Sequence, residues 1–175
     1  PLRWLPFGSA LIVALAARLV SLDVRPLHHD EGVNAAFLLA LAQGRPYEYN
    51  PASYHGPFLY YAGWWPLRLL GTGGMGDGAL RLPVALASAL MLPLLLPLRR
   101  RLGVAGVTAA AWLLAVSPFF VYYGRDLIHE TWLAVLTLAL VAAGSLYLES
   151  RRDGYLYLAA ACLGLLFTVK ETALL

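Results

Sequence analysis

Five apolar stretches, at about 4–22, 80–98, 104–123, 131–149 and 155–169, decide what this chain can fold into. Most reach or approach the ~20 residues an α-helix needs to cross the ~30 Å hydrocarbon core of a bilayer. Inside that core each backbone N–H and C=O must be satisfied by the protein itself, which a helix does within one segment. Only 13% of the 175 residues are charged, where a soluble domain carries roughly 25%. The expected fold is all-α, a polytopic transmembrane helical bundle. The first stretch is followed by a polar cluster and further spans, not by a small-residue cleavage site, so it does not read as a signal peptide. Cys162, the single cysteine, lies in an apolar run and reads as a packing residue. The chain begins without Met and stops at Ala173-Leu174-Leu175 as another apolar run opens, so we expect the N-terminal piece of a longer protein.

Charge orients the spans. Arg99-Arg100-Arg101 and Arg151-Arg152 are the dense basic turns, and the positive-inside rule puts both in the cytoplasm. Two spans separate them, so they agree. Arg3 places the N-terminus on the same side. The net charge of +3 therefore reflects topology rather than nucleic-acid binding. A sixth apolar stretch, about 57–71, would strand Arg99 outside if it crossed, and it contains Pro66 and Arg68. It is expected to lie in the interface, as is a short helix over 32–43. The outer side then receives residues 23–79, the loop 124–130 and the turn at Lys170-Glu171. All four histidines fall there, with every acid except Glu149 and Asp153. The chain reads as one module without linkers or repeats.

Polar clusters on that side are the candidates for chemistry. His28-His29-Asp30-Glu31 places two imidazoles and two carboxylates together at a membrane surface, a costly arrangement unless it faces water, a metal or a polar substrate. Asp30 could cap the 32–43 helix, with Glu31 favourable near its positive end. A capped carboxylate also stays ionised and held, as a base must be. Tyr54-His55-Gly56-Pro57-Phe58 is a turn leading into the interfacial helix. Arg125, Asp126, His129 and Glu130 place four ionisable groups in six residues between two spans, beyond what loop closure by an Arg–Asp pair requires. Lys170 could snorkel from its helix end or clamp a phosphate. Adjacent histidines rarely point the same way, so a divalent cation site would draw on His28 or His29, His55 and a carboxylate from another loop, with His29, His55, His129 and Glu130 as the candidates.

These motifs occur in the order and spacing of a known family. The chain resembles the GT-C superfamily of membrane glycosyltransferases, which includes protein O-mannosyltransferases, lipid A aminoarabinose transferases and oligosaccharyltransferases. It is most similar to a prokaryotic branch described as flippase-activity-associated proteins, with a His-Asp-Glu opening, a Tyr-His-Gly-Pro-Phe-Leu-Tyr-Tyr stretch and a Lys-Glu-Thr after the fifth span. Here these are His29 to Glu31, Tyr54 to Tyr61 and Lys170 to Thr172. The resemblance implies a GT-C-like bundle with interfacial helices after the first span and a polyprenyl-phosphate-linked sugar as donor. It makes Asp30 the catalytic base and Glu31 its acidic neighbour. Glu130 falls where relatives carry Asp, Lys170 lies near the carrier phosphate, and Asp126 has no named counterpart.

The expected activity is inverting transfer of a hexose from a polyprenyl-phosphate donor, on the outer face of the plasma membrane, to an acceptor that could be protein, lipid or glycan. Asp30, Glu31 and Glu130 are the expected catalytic groups. His29, His55, Arg125, Asp126, Lys170 and Glu171 are the expected substrate contacts, with Lys170 and Arg125 on the phosphate. The sequence points to no definite cofactor; a divalent cation could take part, and metal dependence stays open. The rival reading is a non-catalytic protein that binds or helps translocate polyprenyl-linked glycans. A secondary transporter should carry ionisable groups at mid-membrane, and only Arg18 lies well inside a span.

Overall fold

The structure, a computed structural model, describes residues 2–49, 55–69 and 76–170. Its elements are helices: α1 (Leu5–Leu19), α2 (His29–Ala42), α3 (Phe58–Leu69), α4 (Asp77–Leu90), α5 (Arg99–Val116), α6 (Pro118–Tyr123), α7 (His129–Ser150) and α8 (Asp153–Val169). Short 3-10 segments, Leu2–Trp4 and Pro93–Leu98, precede α1 and α5. The segments Leu2–Leu19, Asp77–Val116 and His129–Ser150 are long and apolar enough to cross a membrane, and Asp153–Val169 is a shorter apolar helix. The chain is an integral membrane protein with an all-α fold.

Proline punctuation explains where the helices depart from the apolar runs. The stretch 80–98 is not one α-helix, because Pro93 and Pro97 lack the N–H that α-helical bonding needs, and the chain tightens into 3-10 geometry there. The stretch 104–123 is likewise two helices, broken at Ser117 before Pro118. That break frees the carbonyls at the end of α5, and Arg18 takes them. Its guanidinium is fully buried and donates to Leu114 O at 2.8 Å, to Ala115 O at 3.5 Å and to Ser88 Oγ at 2.8 Å. Arg18, inside the first span, is thus a cap on a proline-broken helix.

Contacts fix the directions of the spans. Leu92 and Leu95 pack with Phe7, while Arg81 reaches Leu22 and Arg25, so α4 runs against α1. Ala10 and Ala14 pack against Val107, Ala111 and Ala115, with Arg18 at the Ala115 end, so α5 runs with α1. The small residues at this seam let the two backbones approach closely. Arg100 Nη1 lies 3.2 Å from Glu149 Oε2, which brings the two basic turns to the same end of the bundle. Residues 25–31, 55–56, 124–130 and Lys170 gather at the other.

The two short helices frame that second end. α3 is 12 residues long, ~18 Å at 1.5 Å per residue, too short to cross the hydrocarbon core. It packs on α2 and α4 through Leu38, Leu59, Leu80 and Val84. Buried positions in α2 are Glu31, Asn34, Ala35, Leu38 and Leu41, a single helical face.

Candidate active site

Helix α2 begins three residues earlier than the sequence suggested, and this changes the role of each acid. His28 is the N-cap: its Nδ1 accepts from Asp30 N at 3.4 Å, and Glu31 Oε2 accepts from His28 N at 3.0 Å, a reciprocal capping box. Asp30 is therefore not the cap. Its side chain, 68% exposed, is left on the solvent side of the first turn.

Glu31 occupies the buried face instead and has no exposed surface. Arg81 Nε and Nη2 donate to its two oxygens, each at 2.7 Å, and the amide of Leu127 adds a 3.0 Å bond. The remaining donors of Arg81 serve Leu22 O, Arg25 O and Pro26 O at 2.7–3.1 Å. This guanidinium is saturated, and it ties α4 to the loop before α2 and, through Glu31, to the loop before α7. Burial alone would raise the Glu31 pKa, but the Arg81 hydrogen bonds and the amides of His28 and Leu127 bring it down to about 2. With no free oxygen facing a substrate, Glu31 is a positioning residue rather than a catalytic acid.

Two cavities flank Asp30. The first, about 400 Å³, is lined among others by Asp30, Asn34, His55, Tyr60, His129, Glu130 and Lys170. Tyr60 donates to Asn34 Oδ1 at 3.1 Å, and Asn34 Nδ2 donates to Leu127 O at 2.8 Å, which locks this wall. Burial pushes the Tyr60 hydroxyl well above its ordinary pKa, so it stays neutral. His129 is fully buried, its Nε2 is 3.3 Å from Gly56 O, and its ring lies 4.4 Å from that of His55. Since the carbonyl can only accept, the Nε2–H tautomer is the one that bonds, leaving Nδ1 as an acceptor without a partner among the described residues. Lys170 Nζ and Glu130 Oε1 are 2.5 Å apart at the mouth.

The His-Gly-Pro turn reaches this cavity by docking on the end of α8. Gly56 N donates to Val169 O at 3.1 Å, and His55 pairs with Lys170 in an antiparallel bridge. A Cβ on Gly56 would sit 2.0 Å from Thr168 O, a backbone atom that cannot swing away. Gly56→Ala should therefore cost the ~1–3 kcal/mol of an overpacked site. A lowered thermal midpoint in detergent is the expected readout. An unchanged midpoint would show that the turn is not held there.

Several expected contacts lie elsewhere. Arg125 does not join Lys170. Its guanidinium donates to Ala17 O, Val20 O and Ser21 O at 2.7–2.8 Å, closing the end of α1, and it borders a separate cavity of about 310 Å³. Asp126 is buried and accepts from Arg25; burial holds its pKa above the ordinary carboxylate value against that hydrogen bond. His29 is exposed and borders none of the three larger cavities. Among the described residues no three His, Cys, Asp or Glu side chains converge on a metal position, so the set His29, His55, His129 and Glu130 is not assembled. Glu171 and Tyr54 lie outside the described residues. Arg81, Asn34 and Tyr60 were absent from the sequence-based candidates.

A sequence profile of the dolichyl-phosphate-mannose-protein mannosyltransferase family matches residues 54–175. The chain belongs to that family. No curated protein and no solved structure matches it. The match takes in His55, Arg81, Glu130 and Lys170, so most of the first cavity lies inside the mannosyltransferase region, while Asp30 and Glu31 precede it. Membership in the mannosyltransferase family makes this a membrane glycosyltransferase of the mannosyltransferase type.

Proposed function

We propose that the chain carries the catalytic end of an inverting mannosyltransferase that uses a polyprenyl-phosphate sugar, with Asp30 as general base. The observation that carries this reading is the division of labour in α2: Glu31 holds the structure, and Asp30 is left ionisable and exposed between two cavities. The donor phosphate lies against Lys170, the only lysine in the chain, and replaces Glu130 as its partner. Asp30 takes the proton from an acceptor hydroxyl as that oxygen attacks the anomeric carbon. The bond to the phosphate oxygen breaks with its electron pair, and Lys170 neutralises the leaving charge. Attack opposite the leaving group inverts the anomeric centre. Arg125 plays no part in holding the phosphate.

The test is transfer by the full-length protein from polyprenyl-phosphate mannose of defined anomeric configuration. We expect a product of opposite configuration, read by the anomeric NMR coupling. A product of retained configuration would overturn direct attack. In this reading the site end of the bundle faces the outside of the plasma membrane and the N-terminus the cytoplasm; the shared end of the two basic turns supports it. An impermeant thiol reagent added outside intact cells should label Asp23→Cys and not Asp153→Cys, against a buried native Cys162. The reverse pattern would invert the assignment.

A further inference from the structure

The second cavity beside Asp30, about 390 Å³, has a different chemistry from the first. One wall is aromatic: Phe119, Tyr122 and Tyr123, exposed by 61%, 48% and 38%. Phe119 and Tyr123 have ring centroids 4.7 Å apart, and Tyr122 and Tyr123 meet edge to face at 5.2 Å. The guanidinium of Arg25 lies 4.7 Å over the Tyr122 ring and is itself held by Asp126 and Glu31. The wall is therefore fixed before any ligand arrives. The rest of the lining includes the polar side chains of His28, Asp30 and Glu130. Asp30, Ile128 and Glu130 border both cavities.

An aromatic face and carboxylates lining one cavity suit a hexose ring. The C–H face of the sugar covers the electron-rich ring surface, and the outward hydroxyls donate to carboxylate oxygens, which only accept. An acyl chain would desolvate those carboxylates without pairing them. A peptide held as an added strand needs an unpaired strand edge, and no strand lines this cavity. We propose that the acceptor is a saccharide, stacked on Tyr122 and Tyr123 and presenting one hydroxyl to Asp30. The proposal rests on the reading of Asp30 as base, and it departs from the protein acceptor in the family's description.

The test is saturation-transfer NMR on the full-length protein in lipid nanodiscs, with the methyl glycosides of mannose, glucose, galactose and N-acetylglucosamine and with a Ser/Thr hexapeptide as separate probes. We expect at least one glycoside to receive saturation at its ring C–H protons. Tyr122→Ala should reduce that signal at least fivefold, and Tyr122→Phe, which keeps the ring over Arg25, should retain it. Glycosides that receive nothing, a signal indifferent to Tyr122→Ala, or a hexapeptide that alone binds through Tyr122 would each overturn the proposal. Tyr122-dependent glycoside binding in a protein whose Asp30→Asn variant transfers at the wild-type rate would leave the saccharide site standing and remove Asp30 as its base.

Discussion

Asp30→Asn should lower the transfer rate by ~10²–10⁴, the usual loss when a positioned base can no longer accept a proton. The substitution is clean here because the helix cap does not depend on it. His28 and Glu31 form the capping box, and Asp30 contributes only its backbone N–H. Asn keeps the shape and polarity of the side chain, so donor binding should be unchanged. Lys170→Met should give the complementary result, weakening donor binding by about 1.5–3 kcal/mol, as expected for one charge-assisted contact. The two variants separate chemistry from carrier recognition when turnover is measured against donor concentration. Near wild-type turnover in Asp30→Asn would remove Asp30 from the mechanism. A wild-type protein that binds the carrier yet transfers nothing would favour the non-catalytic carrier protein.

The bundle and the clustering of polar loops at one end were legible in the sequence because both follow from coarse physics. Apolar runs of span length have few alternatives, and the two basic turns agree with each other; the Arg100–Glu149 pair meets that agreement in three dimensions. The helix breaks at Pro93, Pro97 and Pro118 were visible too, had the prolines been weighed against continuous apolar runs. The helix cap and the burial of Glu31 were not read from the sequence, although the signal was there. Extending the buried series Asn34, Ala35, Leu38 and Leu41 back one turn lands on Glu31 and leaves Asp30 about 100° away on the open side. Arg81 was overlooked because it stands at the head of an apolar helix, where composition hides a single cation. It shares a face with Val84, Ala85 and Ser88, and a buried arginine in that position calls for a buried acid. No sequence pattern says which acid, since Glu31 lies 50 residues away. The misplacement of Arg125 has the same cause: a loop arginine can meet a phosphate or a helix end equally well, and only the fold brings the end of α1 to it.

Breaking the Glu31–Arg81 pair should destabilise the fold more than any other single change at this end of the bundle. Arg81→Met leaves a buried carboxylate and three backbone carbonyls without their donors. Glu31→Gln puts an amide N–H₂ among the N–H groups of Arg81, His28 and Leu127 and leaves the guanidinium uncompensated. Removing one partner of a buried pair costs roughly 3–5 kcal/mol, to be read as a loss of unfolding free energy in detergent micelles. The double variant should be less destabilised than the sum of the singles, since neither charge is then stranded. Simple additivity would mean that the two side chains act independently. Acid gives a second measure. The Glu31 pKa falls from 4.5 to about 2 on folding, so its stabilisation is complete above about 4.5 and is lost as pH falls towards 2. Over that window it amounts to about 3 kcal/mol. Asp126, raised by burial, works in the opposite direction, so the comparison that isolates Glu31 is wild type against Glu31→Gln. The wild-type unfolding free energy should fall more steeply between pH 4.5 and 2, and the two curves should converge at the acid end. Parallel curves would mean that folding leaves the Glu31 pKa unchanged and that its ionisation adds nothing to stability.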